Sequence, residues 1–208
     1  MMTQTLLTGF GAFGAVTHNP TLRLAEHFAN REVAGQALTC AVLPVSFQTA
    51  AARMRALLEV GGDGGRPFDK VLMLGVASGS PYWRVERFGR NWDDALQDAE
   101  GFTPIAGEIL PNAPPLLPAT LPIEPQIAAI EALGLPVRAS DSAGAYLCNH
   151  VFYTTLRHLQ NSDPPIRAGF LHVPADEETF DYGVTSAPMF PFARHVAAVE
   201  AVLAALQK

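Results

Sequence analysis

Apolar positions along the chain fall into two alternating patterns. Short runs in which nearly every position is apolar predict buried strands at Gln4–Thr8, Leu38–Val45, Lys70–Val76 and Ile166–Val173. A further short strand is expected near Pro136–Ala139. Between these runs apolar residues recur three and four apart, the spacing of one helix face. That spacing predicts helices from Pro20 through LRLAEHFA, through AAARMRALLEV at 50–60 and through PQIAAIEALG at 125–134. Two more are expected, from Asn149 to Leu159 and at the C-terminal end up to Leu206. Asn19-Pro20 supplies a capping side chain and a proline at the first helical position. Strands alternating with helices imply an α/β sandwich around a mostly parallel sheet. Residues 77–120 fit no regular period, and so long an irregular stretch is expected to be functional or mobile. Neither an internal repeat nor a domain boundary is apparent, so the 208 residues are read as one domain.

Composition narrows the function classes. With 49% apolar and 16% charged residues the chain is globular in character. A net charge of -6 gives no electrostatic reason to expect nucleic acid or an anionic membrane as partner. The opening MMTQTLLTGF has neither the basic region nor the apolar length of a signal peptide or membrane span. Two cysteines, Cys40 and Cys148, are too few for a disulfide framework, and a reduced, cytoplasmic setting is expected. The large apolar content leaves surface for self-association.

Three features bear on chemistry. The first, TGFGAFG, carries G-x-G-x-x-G at Gly9, Gly11 and Gly14 directly after a predicted strand. A dinucleotide loop needs a helix starting inside the glycine motif and an acid at the end of the second strand. Here the helix starts at Asn19-Pro20, and the second strand ends LPVSF without Asp or Glu. A nicotinamide cofactor is therefore not expected. The second feature, SDSAGAYLCNHVFY, sets Cys148 directly before a predicted helix, where the helix dipole favours a thiolate. Cys148 alone fits a buried apolar role equally well. The third is a possible base: His172 ends a buried strand in GFLHVP, where α/β folds build their sites. His18, His27, His150, His158 and His195 lie on helices or turns less suited to the role. Glu86, in PYWRVERFGRN, is either an imidazole-orienting carboxylate or a solvated charge beside Arg84 and Arg87. No metal-ligand spacing is present.

Together these segments resemble the pyroglutamyl peptidase I family. LLTGFGAFG followed by Asn19-Pro20 is similar to the family's TGFxPFG…NP opening, and LPVSF to its second-strand ending. GVASGSPYWRVERFGRN resembles the segment with the catalytic Glu, SDSAGAYLCNHVFY the AGTxxCNxxFY segment with the nucleophile, and GFLHVP the GFIHVP with the catalytic His. The resemblance implies Cys148 as nucleophile, His172 as general base and acid, and Glu86 as the group orienting the imidazole. It implies a substrate pocket formed by Phe10, Phe13, Val76 and Tyr146, with the loop glycines letting the chain turn to present both phenylalanine rings. It further implies a three-layer α/β/α sandwich around a mixed, mostly parallel twisted sheet, without cofactor or metal, and a homo-oligomer, dimer or tetramer. The implied reaction is removal of an N-terminal pyroglutamyl residue from peptides through a thioester.

Three departures from the family pattern fall near that pocket. GVASGS stands for GQAGGR, with Val76 for Gln and Ser80 for Arg. DDALQDAEG at 93–101 is one residue shorter than DDARIPDNEG, with Leu96 in the Arg position. An acidic run, Asp176-Glu177-Glu178, follows HVP. These changes are expected to alter the pocket rim. They leave an alternative expectation, a divergent member that binds lactam or peptide ligands with little turnover.

Overall fold

The buried runs form the strands that their composition predicts, and they lie side by side at the centre. A computed structural model describes residues 2–13, 18–179 and 188–207. Its strands are β1 (Thr3–Phe10), β2 (Glu32–Val33), β3 (Gln36–Leu43), β4 (Lys70–Val76), β5 (Trp83–Glu86), β6 (Phe88–Arg90), β7 (Leu116–Pro118), β8 (Val137–Ser140) and β9 (Arg167–Val173). The helices are α1 (Pro20–Phe28), α2 (Ala50–Val60), α3 (Ile123–Glu131), α4 (Leu147–Leu159) and α5 (Phe192–Ala205).

Among the described residues, seven strands form one sheet in the order β2-β3-β1-β4-β9-β5-β8, and β6 and β7 pair separately. β3, β1, β4 and β9 run parallel. β5 is antiparallel to β9 and parallel to β8, so the sheet is mixed at that edge. Alternate side chains along each strand enter different cores, as a period of two requires. Leu6, Val71, Met73 and Phe170 meet α2 and α4 on one face. Leu7, Leu72, Leu74 and Leu171 meet α1 and α5 on the other. This is the expected three-layer α/β/α sandwich.

Two expectations need correction. The stretch 77–120 is not wholly irregular, since it contains β5, β6 and β7. These strands are only three or four residues long, and β5 and β6 carry charged residues, so no periodicity marks them. The glycine loop also differs in its cause. Gly9 lies inside β1, where a Cβ would come within 2.1 Å of the Thr21 carbonyl oxygen, so it permits close approach of α1 to the strand. A Cβ at Gly11 would meet nothing within 4 Å, and Gly14 lies outside the described residues. The N-terminus of α1 is closed by its own cap: Thr21 N donates to Asn19 Oδ1 at 3.0 Å, and Asn19 Nδ2 donates to the Gly11 carbonyl at 3.0 Å. The Asn19-Pro20 helix start is as predicted.

Candidate active site

Strand register brings the candidate residues together. Gly75 on β4 pairs with His172 on β9, and His172 pairs with Arg84 on β5. Paired residues project from the same face of a sheet, so all three lie under α2 and α4. Glu86, two residues beyond Arg84, shares that face. The first turn of α4 descends onto Gly75: a Cβ there would lie 2.8 Å from Cys148 Sγ and 2.8 Å from the Phe170 ring. The missing side chain is the space the sulfur occupies.

His172 Nδ1 lies 2.8 Å from Glu86 Oε1, with the imidazole 3% and the carboxylate 0% exposed. A carboxylate only accepts, so Nδ1 carries the proton and Nε2 is left with a lone pair. Glu86 is thus a buried partner of the imidazole, not a solvated loop charge. Arg84, unassigned in the sequence, completes the cluster. Its Nε is 3.2 Å from Glu86 Oε1 and its Nη2 3.4 Å from His172 Nδ1. Donor faces donor at the latter contact, so Arg84 acts there through its charge.

The cysteine environment departs from expectation. α4 begins at Leu147, so Cys148 lies within its first turn instead of ahead of it. Burial pushes the thiol up to about 12, and the Glu86 charge adds to that effect. Arg84 and the cysteine's own backbone N–H favour the thiolate but are outweighed. Desolvation also brings His172 below its ordinary 6.5, against the opposing pull of Glu86. At neutral pH the cluster therefore rests as thiol and neutral imidazole.

A narrow cleft opens onto the sulfur, lined by Phe10, Phe13, Asn19, Val45, Val76, Tyr146, Leu147 and Cys148. All four residues expected to form a pocket are among these. Tyr146 packs against Phe13 and Phe47, with ring centroids 6.3 and 5.5 Å apart. Asn19, Val45 and Leu147 were not anticipated. The first is legible only as a helix cap, and the others as ordinary apolar residues.

The family departures separate. Val76 lines the cleft. Segment 93–101 braces it from outside: Tyr146 donates to the Gln97 carbonyl at 3.0 Å, Phe47 N to Asp98 Oδ2 at 3.0 Å, and Asp93 lies 2.6 Å from His150. Leu96 is half exposed and does not line the cleft. Asp176 does not belong to a charged rim, being fully buried and paired with Arg23 at 2.9 Å. Both cysteines are free thiols. Among the described residues no three His, Cys, Asp or Glu side chains gather to hold a metal ion, and no helix is long and apolar enough to cross a membrane.

Comparison with known proteins gives the same assignment throughout the chain. The chain is 37% identical over 205 residues to a pyrrolidone-carboxylate peptidase of Streptomyces coelicolor, covering 98% of this chain and 92% of that one. It superposes with a TM-score of 0.89 on a pyrrolidone carboxyl peptidase from Thermococcus litoralis, at 31% identity over 99% of this chain and 93% of the other. The TM-score is also 0.89 for pyroglutamyl peptidase I of Bacillus amyloliquefaciens, at 27% identity over 98% and 96% of the two chains. The sequence profile described as Pyroglutamyl peptidase matches residues 3–208, and the chain belongs to that family.

Proposed function

We propose that this protein is a cysteine peptidase that removes an N-terminal pyroglutamyl residue from peptides. The observation that carries the reading is the apolar, aromatic cleft whose floor ends at Cys148, set beside the His172–Glu86 pair. A pyroglutamyl ring is flat, uncharged and small, and such a cleft complements it. Membership of the family and the names of its relatives support the same reaction.

In this reading the ring lies against Phe10, Phe13, Val76 and Tyr146, with its carbonyl carbon over Cys148 Sγ. His172 Nε2 takes the thiol proton as sulfur attacks, so the buried thiol is activated only at the moment of reaction. Glu86 stabilises the imidazolium through Nδ1–H. Negative charge on the carbonyl oxygen falls to backbone N–H groups of the first turn of α4, where the Tyr146 side chain makes no capping bond. The C–N bond breaks as His172 returns its proton to the amine. Water then loses a proton to His172 and cleaves the thioester, which restores the thiol.

Hydrolysis of a fluorogenic pyroglutamyl amide by the pure protein tests the activity, and no turnover at millimolar substrate would reject it. Cys148→Ala should reduce kcat by at least about 10³-fold while still binding pyroglutamate. Val76 on the cleft wall, where the family pattern has a polar Gln, favours a second reading, a lactam-binding protein with little turnover. Saturable pyroglutamate binding without hydrolysis would select it.

A further inference from the structure

We infer that a second, cationic cleft beyond His172 binds a carboxylate on the leaving-group side of the scissile amide, carried one or two residues past that bond. The inference rests on the peptidase reading above and names its substrate class, short or acidic pyroglutamyl peptides.

The register continues past the candidate catalytic residues. Arg84, paired with His172 on one side, pairs with Arg138 of β8 on the other. The face of the sheet therefore reads, strand by strand, cleft at β1 and β4, then His172, then two arginines. These residues border an open, shallow cleft that includes Arg84, Arg138, Tyr82 and Ser80. Val76 lines both clefts, so the two meet beside the cysteine.

Like charges at directly paired positions of adjacent strands repel. Only Arg84 has its charge answered, by the buried Glu86. Arg138 is exposed, and among the described residues it has no carboxylate within ion-pair distance. Its guanidinium is instead held in place, 3.7 Å above the Tyr82 ring. The chain as a whole carries a charge of -6, which makes an uncompensated arginine pair beside a candidate base a local exception. A carboxylate bound there would relieve the repulsion and form a bidentate contact. Strands lie about 4.8 Å apart, so Arg138 is roughly 10 Å along the sheet from His172. An extended peptide advances about 3.4 Å per residue, and an arginine side chain covers the remainder, which sets the carboxylate one or two residues from the bond.

The test compares kcat/KM for pyroglutamyl-alanine with its carboxamide, and for pyroglutamyl-aspartyl amide with pyroglutamyl-asparaginyl amide. The wild type should favour the charged member of at least one pair by about fivefold to tenfold at low salt. Arg138→Gln should bring that ratio to within about twofold, and Arg138→Lys should keep part of it. Preference within the first pair assigns the site to a terminal carboxylate, and within the second to an acidic side chain. Equal rates within both pairs, or a preference that survives Arg138→Gln, would overturn the inference. Calorimetric binding of the same pairs to Cys148→Ala protein reads the subsite without turnover. Charge-selective binding without hydrolysis by the wild type would retain the subsite and reject the peptidase reading.

Discussion

A methyl group at position 75 would compete for the space that the Cys148 sulfur fills, and this places one glycine at the centre of the proposed chemistry. The approach of 2.8 Å to Sγ and to the Phe170 ring is too short for any carbon to keep. Phe170 is 1% exposed and cannot retreat, so the sulfur must leave its place over position 75. Gly75→Ala is therefore expected to lower kcat on a pyroglutamyl amide by about 100-fold, with KM changed by less than about threefold. Overpacking should also destabilise the protein by about 1–3 kcal/mol. Steady-state kinetics with a thermal melt separates the two effects, and an unaltered kcat would show that the sulfur does not act from this position. At this scale the sequence marked candidate reactive atoms and was silent about space. Cys148, His172 and Glu86 are legible because their segments resemble a family's, and Phe10, Phe13, Val76 and Tyr146 for the same reason. Gly75 and Arg84 are not, because their importance arises from register between strands far apart in the chain.

Among the elements, α4 carries Cys148, the proposed nucleophile, and its position depends on one residue more than on its apolar face. Asn149 is fully buried and clasps the β6 end. It accepts from Arg90 N at 2.8 Å and donates to the Arg90 and Trp92 carbonyls, each at 2.9 Å. Gly89 completes this contact, since a Cβ there would lie 2.9 Å from Tyr153 Cα. Asn149→Ala removes all three bonds: Arg90 N and the Trp92 carbonyl lose this partner, while the Arg90 carbonyl keeps its bond from Trp92 N at 2.8 Å. A loss of about 2–4 kcal/mol is expected, with a fall in kcat because the helix start is no longer held over Gly75. Urea unfolding would measure the first, and a loss under about 0.5 kcal/mol would contradict the clasp. The long strands and amphipathic helices were readable from periodicity. The elements that escaped, β2 and β5 to β7, are too short to show a period, and β5 has Arg84 and Glu86 on a buried face. That face carries the candidate site, so the pattern that reveals a strand fails where paired charges stand in place of apolar core residues.

For the molecule as a whole, the two faces of the sheet hold two buried imidazoles with different partners. His172 is paired to Glu86 and lies on the strand beside Gly75, over which Cys148 sits. His195, on α5, is fully buried on the other face and packs 5.2 Å from the Trp83 ring. Among the described residues neither of its ring nitrogens makes a well-aligned hydrogen bond. Burial brings its pKa to about 4, although Asp176 and the Ala175 backbone favour the charged ring. The sign of the consequence follows from proton counting. Above pH 6.5 the ring is neutral in both folded and unfolded chains and contributes nothing to the pH dependence. Between 6.5 and about 4 the unfolded chain binds a proton that the folded one excludes, so stability falls with falling pH. The loss over that interval amounts to about 3 kcal/mol, a large fraction of what a chain of this size possesses. His195→Met keeps the volume and removes the titration. Urea unfolding at pH 7 and pH 4 should therefore show a loss on acidification smaller by about 3 kcal/mol in the variant than in the wild type. An equal loss in both proteins would mean that the ring takes up its proton without cost and that the buried site is open to water. His172 is also shifted downward, so part of the acid sensitivity should survive in the variant, and it should coincide with the acid limb of kcat/KM.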